Sequence, residues 1–528
     1  MYNSIFTTVS KSKTSPVYEL IHALSKNEKR HFSLLIGSSG TTEDKKVVKL
    51  FNHLNKATEY DEVRLLKQVP EIKLEQLANQ KSYLYQKILQ ALRLYNSPKI
   101  TDLQIREQID FAQILFERRL YSQGLSALRK ARKLACLQEN LEQQLEILKM
   151  ERGVLLQTIG PDLEEKVDAL ISDVRSLNQR INNIQTFANL SIKLNSFYTR
   201  LGFIRDEQDY LRVKEYFYSN LPAYEEEDLS LSEKIHLYRL FAGYFFFTQD
   251  FENGYLYAHK LVSLFDENPH IIHSTLEAYI KALNQLLIVQ HRLFKYLEFV
   301  DTNRKLHSIS RNPSFHITES LRITLLKYYY MHEINRYFMT GQFEEGLQKV
   351  VGDHEKELND LIAVLDLHSS LILTYKIACM YLGASNYKMT IRWMNRIVNQ
   401  PVVDIREDIH SFARIINLVC HYELGNYDII AHYIISTYRF LLKKDDLHLF
   451  QKFILNFLKN LTKETAEEDL MERFIKLKAQ LLQLVNSTYE KRAFIYFDII
   501  SWLESKIEKR PVQDIIQKKA LLKLGKRT

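Results

Sequence analysis

The chain has 528 residues, is 46% hydrophobic and 26% charged, and carries a formal charge of +8. It can therefore bury a large core and is not disordered. Glycine and proline number only 14 and 9, about a third of average usage, which excludes collagen-like, low-complexity, sandwich and barrel architectures built on frequent turns.

No apolar run approaches the roughly 18 residues of a membrane-spanning helix, so no membrane partner is expected. Met1 to Lys13 lacks the apolar stretch of a signal peptide. Cys136, Cys379 and Cys420 are odd in number and far apart, which argues against a disulfide framework. Both features predict a protein of the reducing cytoplasm. The charge is concentrated at the ends: residues 1–100 hold 16 Lys/Arg against 9 Asp/Glu, and residues 505–528 hold 8 against 2. Basic ends serve solubility, or contact a polyanion or an acidic protein surface.

Nearly every segment between turns repeats its apolar residues at helical spacing, so the sequence predicts an all-α protein. Residues 1–98 predict a small basic helical domain. Val17, Leu20, Ile21 and Leu24 form one stripe, and Ser25 and Glu28 have the spacing of a capping box. That cap opens a helix carrying Phe32, Leu35 and Ile36, stopped by Gly37. Helices starting near Glu43 and Asp61 follow, then a long one from about Lys73 to Tyr95. Asn96-Ser97-Pro98 closes the domain, because the residue before proline resists helical geometry.

From 99 to 462 one pattern recurs. A helix ends in a short polar turn with an aromatic residue, and a small or apolar residue follows three positions later. Tyr121 is followed by Gly124, Phe251 by Gly254, Phe343 by Gly346; Tyr387 and Tyr427 repeat the turn with Thr390 and Ile430 in place of glycine. Phe294 and Gly202-Phe203 fit more loosely, and Gly160-Pro161-Asp162 marks a turn without an aromatic. Successive landmarks lie 40 to 49 residues apart, a spacing that predicts about eight stacked helical hairpins. The upstream helix keeps register, with Ala112, Ala242, Ile334, Ala378 or Leu418 nine residues before each aromatic.

These features resemble the tetratricopeptide repeat (TPR) superfamily, through Gly341-Gln342-Phe343, Gly425-Asn426-Tyr427, the small residue in each first helix, Ala127 and Ala131 in a second helix, and Pro269 and Pro401 just beyond second helices. The resemblance covers roughly residues 101–462. It departs in its period, longer than the family's 34 or so, and in frequent replacement of the second-helix alanine. It implies a TPR-like solenoid whose concave surface, lined by first helices, takes an extended peptide. The family's groove positions fall on His236, Arg239, Gly243 and Phe246; on Tyr328, Met331, Asn335 and Phe338; on Ile372, Tyr375, Cys379 and Leu382; and on Phe412, Ile415, Val419 and Tyr422. Asn335 matches the asparagine of the family's carboxylate clamp, but Met331 stands where the clamp has lysine, which argues against capture of a C-terminal carboxylate. The rest of the lining is apolar and aromatic, suited to a hydrophobic segment or amphipathic helix, or simply to packing between long repeats. His236, Arg239, Tyr328, Asn335, Tyr375 and Tyr422 are the candidate partner-binding residues.

Residues 463–528 predict capping helices with a basic tail, since a repeat array needs an atypical end. Thr465 with Glu468 resembles a capping box, Ser487 to Glu490 opens a helix carrying Phe494, Phe497, Ile500 and Trp502, and Pro511 suits the first turn of a final basic helix.

No catalytic constellation is visible. Gly37-Ser38-Ser39-Gly40-Thr41-Thr42 lacks the Gly-Lys-Ser/Thr ending of a phosphate loop. His270 and His273 have no further ligand nearby, and His410, His421 and His432 straddle the turn at Gly425, so no metal or cofactor is expected. The cysteines read as core fillers. Glu225-Glu226-Glu227-Asp228 reads as a solvated loop, and Tyr328-Tyr329-Tyr330 cannot all face one core.

The expectation is a non-enzymatic scaffold or adaptor that binds a protein or peptide along an open array. The alternative is a transcriptional or ribonucleoprotein-associated regulator touching nucleic acid through a helix-turn-helix-like arrangement of the N-terminal domain, where Lys26, Lys29, Arg30, Lys45, Lys46 and Lys49 cluster. An enzyme would require distant residues to converge in a pocket of perturbed titratable groups.

Overall fold

The computed structural model describes residues 15–525, apart from 38–41, 156, 158–162, 205, 316, 353, 402–403, 445, 461–466, 488 and 497. Among the described residues every regular element is helical and none is a strand. None of the described helices is long and apolar enough to cross a membrane. The chain divides into two units, Met1–Leu177 and Asn178–Thr528.

In the first unit, α1 (Pro16–Ala23), α2 (Lys26–Gly37), α3 (Thr42–Lys56), α4 (Glu62–Gln68) and α5 (Leu74–Asn96) enclose one core built on Val17, Ile21, Phe32, Leu50, Leu84 and Ile88. The Ser25 cap forms as expected: the Ser25 backbone N–H donates to Glu28 Oε2 at 2.8 Å, and the Glu28 N–H donates to Ser25 Oγ at 3.3 Å. Asp61 likewise accepts from the N–H groups of Val63 and Arg64 at the start of α4. Next, α6 (Thr101–Glu117), α7 (Tyr121–Leu137) and α8 (Leu141–Leu155) share a second, smaller core of Ile105, Ile109, Leu128 and Ile147. The expected boundary near 98 thus falls between two cores inside the first unit.

The helix α9 (Leu163–Leu201) runs from the first unit into the second and is followed by α10 (Glu207–Asn220). Paired helices then succeed one another: α11 (Leu231–Phe247) with α12 (Phe251–Glu267), and α13 (Leu276–Arg292) with α14 (Tyr296–Ile309). α15 (Glu319–Thr340) pairs with α16 (Phe343–Gly346) and the wide turn Leu347–Gly352 that continues it. After α17 (Glu355–Val364), α18 (Leu367–Gly383) pairs with α19 (Tyr387–Val398) and α20 (Glu407–Glu423) with α21 (Tyr427–Lys443). The first helices α11, α13, α15, α18 and α20 also pack on one another in sequence, forming an inner layer. The three successive tyrosines divide accordingly: Tyr328 and Tyr330 are buried in two different cores, and Tyr329 is exposed.

The recurring corner has a backbone explanation. At the end of α11, the Asp250 N–H donates to the Phe245 carbonyl and the Gln249 N–H to the Phe246 carbonyl, which satisfies two carbonyls the helix leaves free. The same pair of bonds recurs at Leu120, Asn140, Lys295, Asn386 and Asn426. In each case the preceding residue adopts positive φ: Arg119, Glu139, Gln249, Phe294, Ser385 and Gly425. Only one of these six is glycine, so the corner repeats as a conformation more than as a residue type. Phe294, expected as the turn aromatic, takes the left-handed position itself, and Tyr296 opens α14 in the aromatic's place. Between 156 and 230 the rhythm breaks. Gly160 and its neighbours lie outside the described residues, and Phe203 follows the 39-residue α9 without this corner. The acidic run is more than a solvated loop, since Glu226 accepts from the Tyr238 hydroxyl at 2.6 Å and pairs with Lys260 at 2.9 Å.

The C-terminal segment comprises α22 (Leu449–Lys459), α23 (Glu467–Leu484), α24 (Ala493–Tyr496), α25 (Ile499–Glu508) and α26 (Val512–Gly525). The expected box at Thr465 lies outside the described residues, as does Phe497. Glu490 does not open a long helix; its carboxylate accepts from the Leu449 and Phe450 N–H groups and so caps α22. Asp498 starts a new helix by accepting from the Ser501 N–H at 3.0 Å.

Candidate functional site

The inner layer is not an open groove. Its first helices are covered by two segments remote in sequence, and this corrects the expectation of a free docking surface. On one side lies the end of α9: the Arg406 N–H donates to the Thr199 carbonyl at 2.9 Å, and Tyr198 packs edge-on against Phe246, Phe247 and His368. On the other side α26 packs on α15. There the Gln517 side chain donates to the Gly341 carbonyl, Gln513 Oε1 accepts from the Glu344 N–H, and Arg292 donates to the Ile495 carbonyl. Gly341 is needed for this approach. Its φ is +72°, and a Cβ there would lie 2.7 Å from the Gln517 backbone nitrogen.

Between these covers remains a cleft of about 680 Å³. Ordinary cores leave voids little larger than a water molecule, whereas ligand sites span roughly 300–1,000 Å³. Each wall is one face of a helix: Asn284, Ile288 and His291 from α13; Tyr328, Met331, His332, Asn335 and Phe338 from α15; His368, Ile372, Tyr375, Lys376 and Cys379 from α18. The members recur every three or four residues, with His332 and Lys376 directly after Met331 and Tyr375, which places them on one side of their helix. The C-terminal helices add Trp502, Ile516 and Lys519, and α9 adds Tyr198.

A polar chain crosses the three helices. Asn284 Oδ1 lies 2.9 Å from His332 Nε2, His332 Nδ1 lies 3.3 Å from Asn335 Nδ2, and Asn335 Oδ1 accepts from Lys376 Nζ at 2.5 Å. These contacts assign the donors: His332 carries its proton on Nε2, so Asn335 can donate to Nδ1 and turn its oxygen to the lysine. The neutral ring is consistent with burial, which lowers the His332 pKa to about 3. Burial, with the nearby Arg292 charge, also lowers Lys376 to about 7. Lys376 is half-buried by accessible surface, and the surface it keeps belongs to the cleft wall. Its bonded partner is the neutral Asn335, with the Phe338 ring 5.5 Å away. His368 is lowered to about 4 and His291 well below the usual range, both chiefly by burial.

The cleft is lined by Arg292, Lys327, Lys376, Arg406, Lys519 and Lys523 against a single carboxylate, Asp498. Two of the cations are offset from outside the wall. Arg406 grips Asp408 with Nε and Nη2, at 2.9 and 2.6 Å, and Lys519 pairs with Glu504 at 2.5 Å. The remaining balance is positive. Perturbed titratable groups do converge here, as an enzyme would require. Burial outweighs the nearby Asp366 and Asp408 charges at His368, and burial pushes the Cys379 thiol up to about 12, far from a reactive thiolate. Among the described residues no three His, Cys, Asp or Glu side chains gather as a metal site.

Of the six candidate groove residues, Tyr328, Asn335 and Tyr375 line this cleft and are buried. His236 and Arg239 are half-buried beside each other on α11, 3.4 Å apart, away from the cleft. Tyr422 is buried against Phe474 and Trp502. Sequence reasoning passed over Lys376, although it is the lone lysine in the apolar run from Leu371 to Leu382, and an isolated cation in such a run is itself a signal. Cys379 borders the cleft, Cys420 is buried, and Cys136 is exposed, against the reading of all three as core fillers.

Two surfaces complete the inventory. The second helix α21 leaves Ile429, Tyr433, Ile435, Tyr438 and Leu442 exposed. On α2 and α3, which pack together, Lys26, Arg30, Lys45 and Lys49 are exposed and Lys29 and Lys46 half-buried; among the described residues only Lys49 is in an ion pair, with Glu71.

No family model and no curated protein matches this chain. The reading of function therefore rests on these surfaces and the cleft alone.

Proposed function

We propose that the protein is a non-enzymatic scaffold or adaptor built on a TPR-like solenoid, and that it docks a partner protein on the outer face of α21. The observation that carries this reading is the row Ile435, Tyr438 and Leu442, three large apolar side chains exposed along one side of that helix, since contiguous exposed apolar surface marks interaction sites. The inner face is less available, because α9 and α26 already lie on it. The helical pairs, their repeated corners and the layer of first helices support the TPR-like assignment.

The test is site-specific photo-crosslinking in the native host, with a probe at Tyr438 and a control probe at Tyr375. A reproducible protein adduct at 438, lost in Leu442→Glu, is expected. Self-adducts alone, or adducts indifferent to Leu442→Glu, would sink the proposal. A second reading, a nucleic-acid-binding regulator, rests on the basic side chains of α2 and α3, five of the six outside any ion pair among the described residues.

A further inference from the structure

Beyond a partner on the outer face, the cleft itself calls for an occupant. Its cations outnumber its carboxylates, and the excess sits on the walls instead of in bulk water. Buried charge of one sign is retained only where something offsets it. Lys376 has a neutral amide as its bonded partner, and Arg292 lies on the same wall. Asn284, His332 and Asn335 are already bonded to one another. The rest of the wall is apolar, with Met331, Phe338, Ile372 and Ile516 around the polar chain.

We propose that this cleft binds a small amphiphile, with an unbranched apolar body and one anionic head, carboxylate or phosphate, seated on Lys376 with Arg292 beside it. A cationic ligand would meet like charge. A metal ion would lack carboxylates. A neutral oil would leave Lys376 with no counter-charge in a low-dielectric site. Trp502 lies in the cleft wall and the other tryptophan, Trp393, is buried outside it, so the protein carries a built-in reporter.

The head group should also draw a proton onto Lys376, because an opposite charge favours the ammonium form. The groups sharing the cleft are Arg292 and His291 from α13, Lys327 and His332 from α15, His368 and Cys379 from α18, Arg406 before α20, and Asp498, Lys519 and Lys523 from the C-terminal segment. The neutral His332 and His368 and the protonated Cys379 hold their state between pH 7 and 9. With Lys376 titrating near 7 in the free protein, affinity should fall about tenfold per pH unit above that point.

The experiment titrates full-length protein with decanoate, decyl phosphate, decanol and decyltrimethylammonium, all below their micelle concentrations, by calorimetry and tryptophan fluorescence. Saturable one-to-one binding of decanoate, decyl phosphate or both is expected, and which of them binds identifies the head. Decanol should bind at least tenfold more weakly and the cation not at all. Lys376→Met should weaken the anion at least tenfold while changing decanol less than threefold. Should that variant not fold, the wild-type pH profile decides. No saturable anion binding, decanol as tight as decanoate, an unaffected Lys376→Met, or a flat profile from pH 7 to 9 would each overturn the proposal. None of these outcomes bears on the Tyr438 crosslink, so the two proposals fail separately.

Discussion

The protein carries two basic regions at very different physical cost. On α2 and α3 the cations project from a helical unit whose core is built on apolar side chains. Water solvates them, and such a surface reports little about function by itself. Between α13, α15 and α18 the cations line a cleft under the chain's own C-terminal helices, and burial moves Lys376 from its ordinary value to about 7. The lesson is that the N-terminal charge excess, conspicuous in composition, is the cheap one. The costly one is invisible in composition, because residues 101–504 are net acidic.

Removing Lys376 should sharpen this contrast most. Its folded pKa lies below its unfolded value of 10.5, so at pH 7–10 the unfolded state binds the extra proton and stability rises with pH across that window. Lys376→Met should be the more stable protein at pH 7, by on the order of 3 kcal/mol after allowing for water in the cleft. It should also flatten the rise toward pH 10. Urea denaturation at pH 7, 8.5 and 10 measures both, and a destabilised variant with an unchanged pH slope would place the lysine in ordinary solvent.

Two glycines offer the next comparison. Gly341 and Gly425 share nearly the same left-handed backbone, with φ of +72° and +70°. The strain of alanine at positive φ, about 1 kcal/mol, is common to both. Only at Gly341 would a Cβ collide with backbone, that of Gln517. Gly341→Ala should therefore cost about 2 kcal/mol and shift Trp502 fluorescence as α26 is displaced, while Gly425→Ala costs about 1 kcal/mol and leaves the emission unchanged. Equal losses with unchanged spectra would mean that α26 is not held at this corner.

The smallest effect is expected on α2 and α3. The double variant Arg30→Glu, Lys45→Glu should change stability by no more than about 0.5 kcal/mol. If this face meets nucleic acid, binding to mixed DNA and RNA should be steeply salt-dependent and lost in the variant. Negligible wild-type binding at low salt would remove that reading.

Much of the local architecture was legible. The capping box at Ser25, the cap at Asp61, the helix from Lys73 and the inability of Tyr328, Tyr329 and Tyr330 to share one core follow from spacing along a single helix. The corners were legible where an aromatic followed the turn. They misled at Phe294, because a left-handed residue closing two backbone bonds need not be glycine when packing holds it. Half of the groove candidates, Tyr328, Asn335 and Tyr375, line the cleft, since a helix's register fixes which side each residue faces. Lys376 was missed because it sits one residue past Tyr375 in an apolar run, where only the neighbouring helices decide whether a lysine is covered.

What the sequence by itself determined is everything set by interactions a few residues apart: helix, cap, corner and the sidedness of each rod. Only the tertiary structure decided that Thr199 meets Arg406, Arg292 meets Ile495 and Gly341 meets Gln517. Those partners are separated by more than a hundred residues, and nothing in local spacing encodes which distant face a helix will finally cover. That covering turns an expected open groove into a charged cleft.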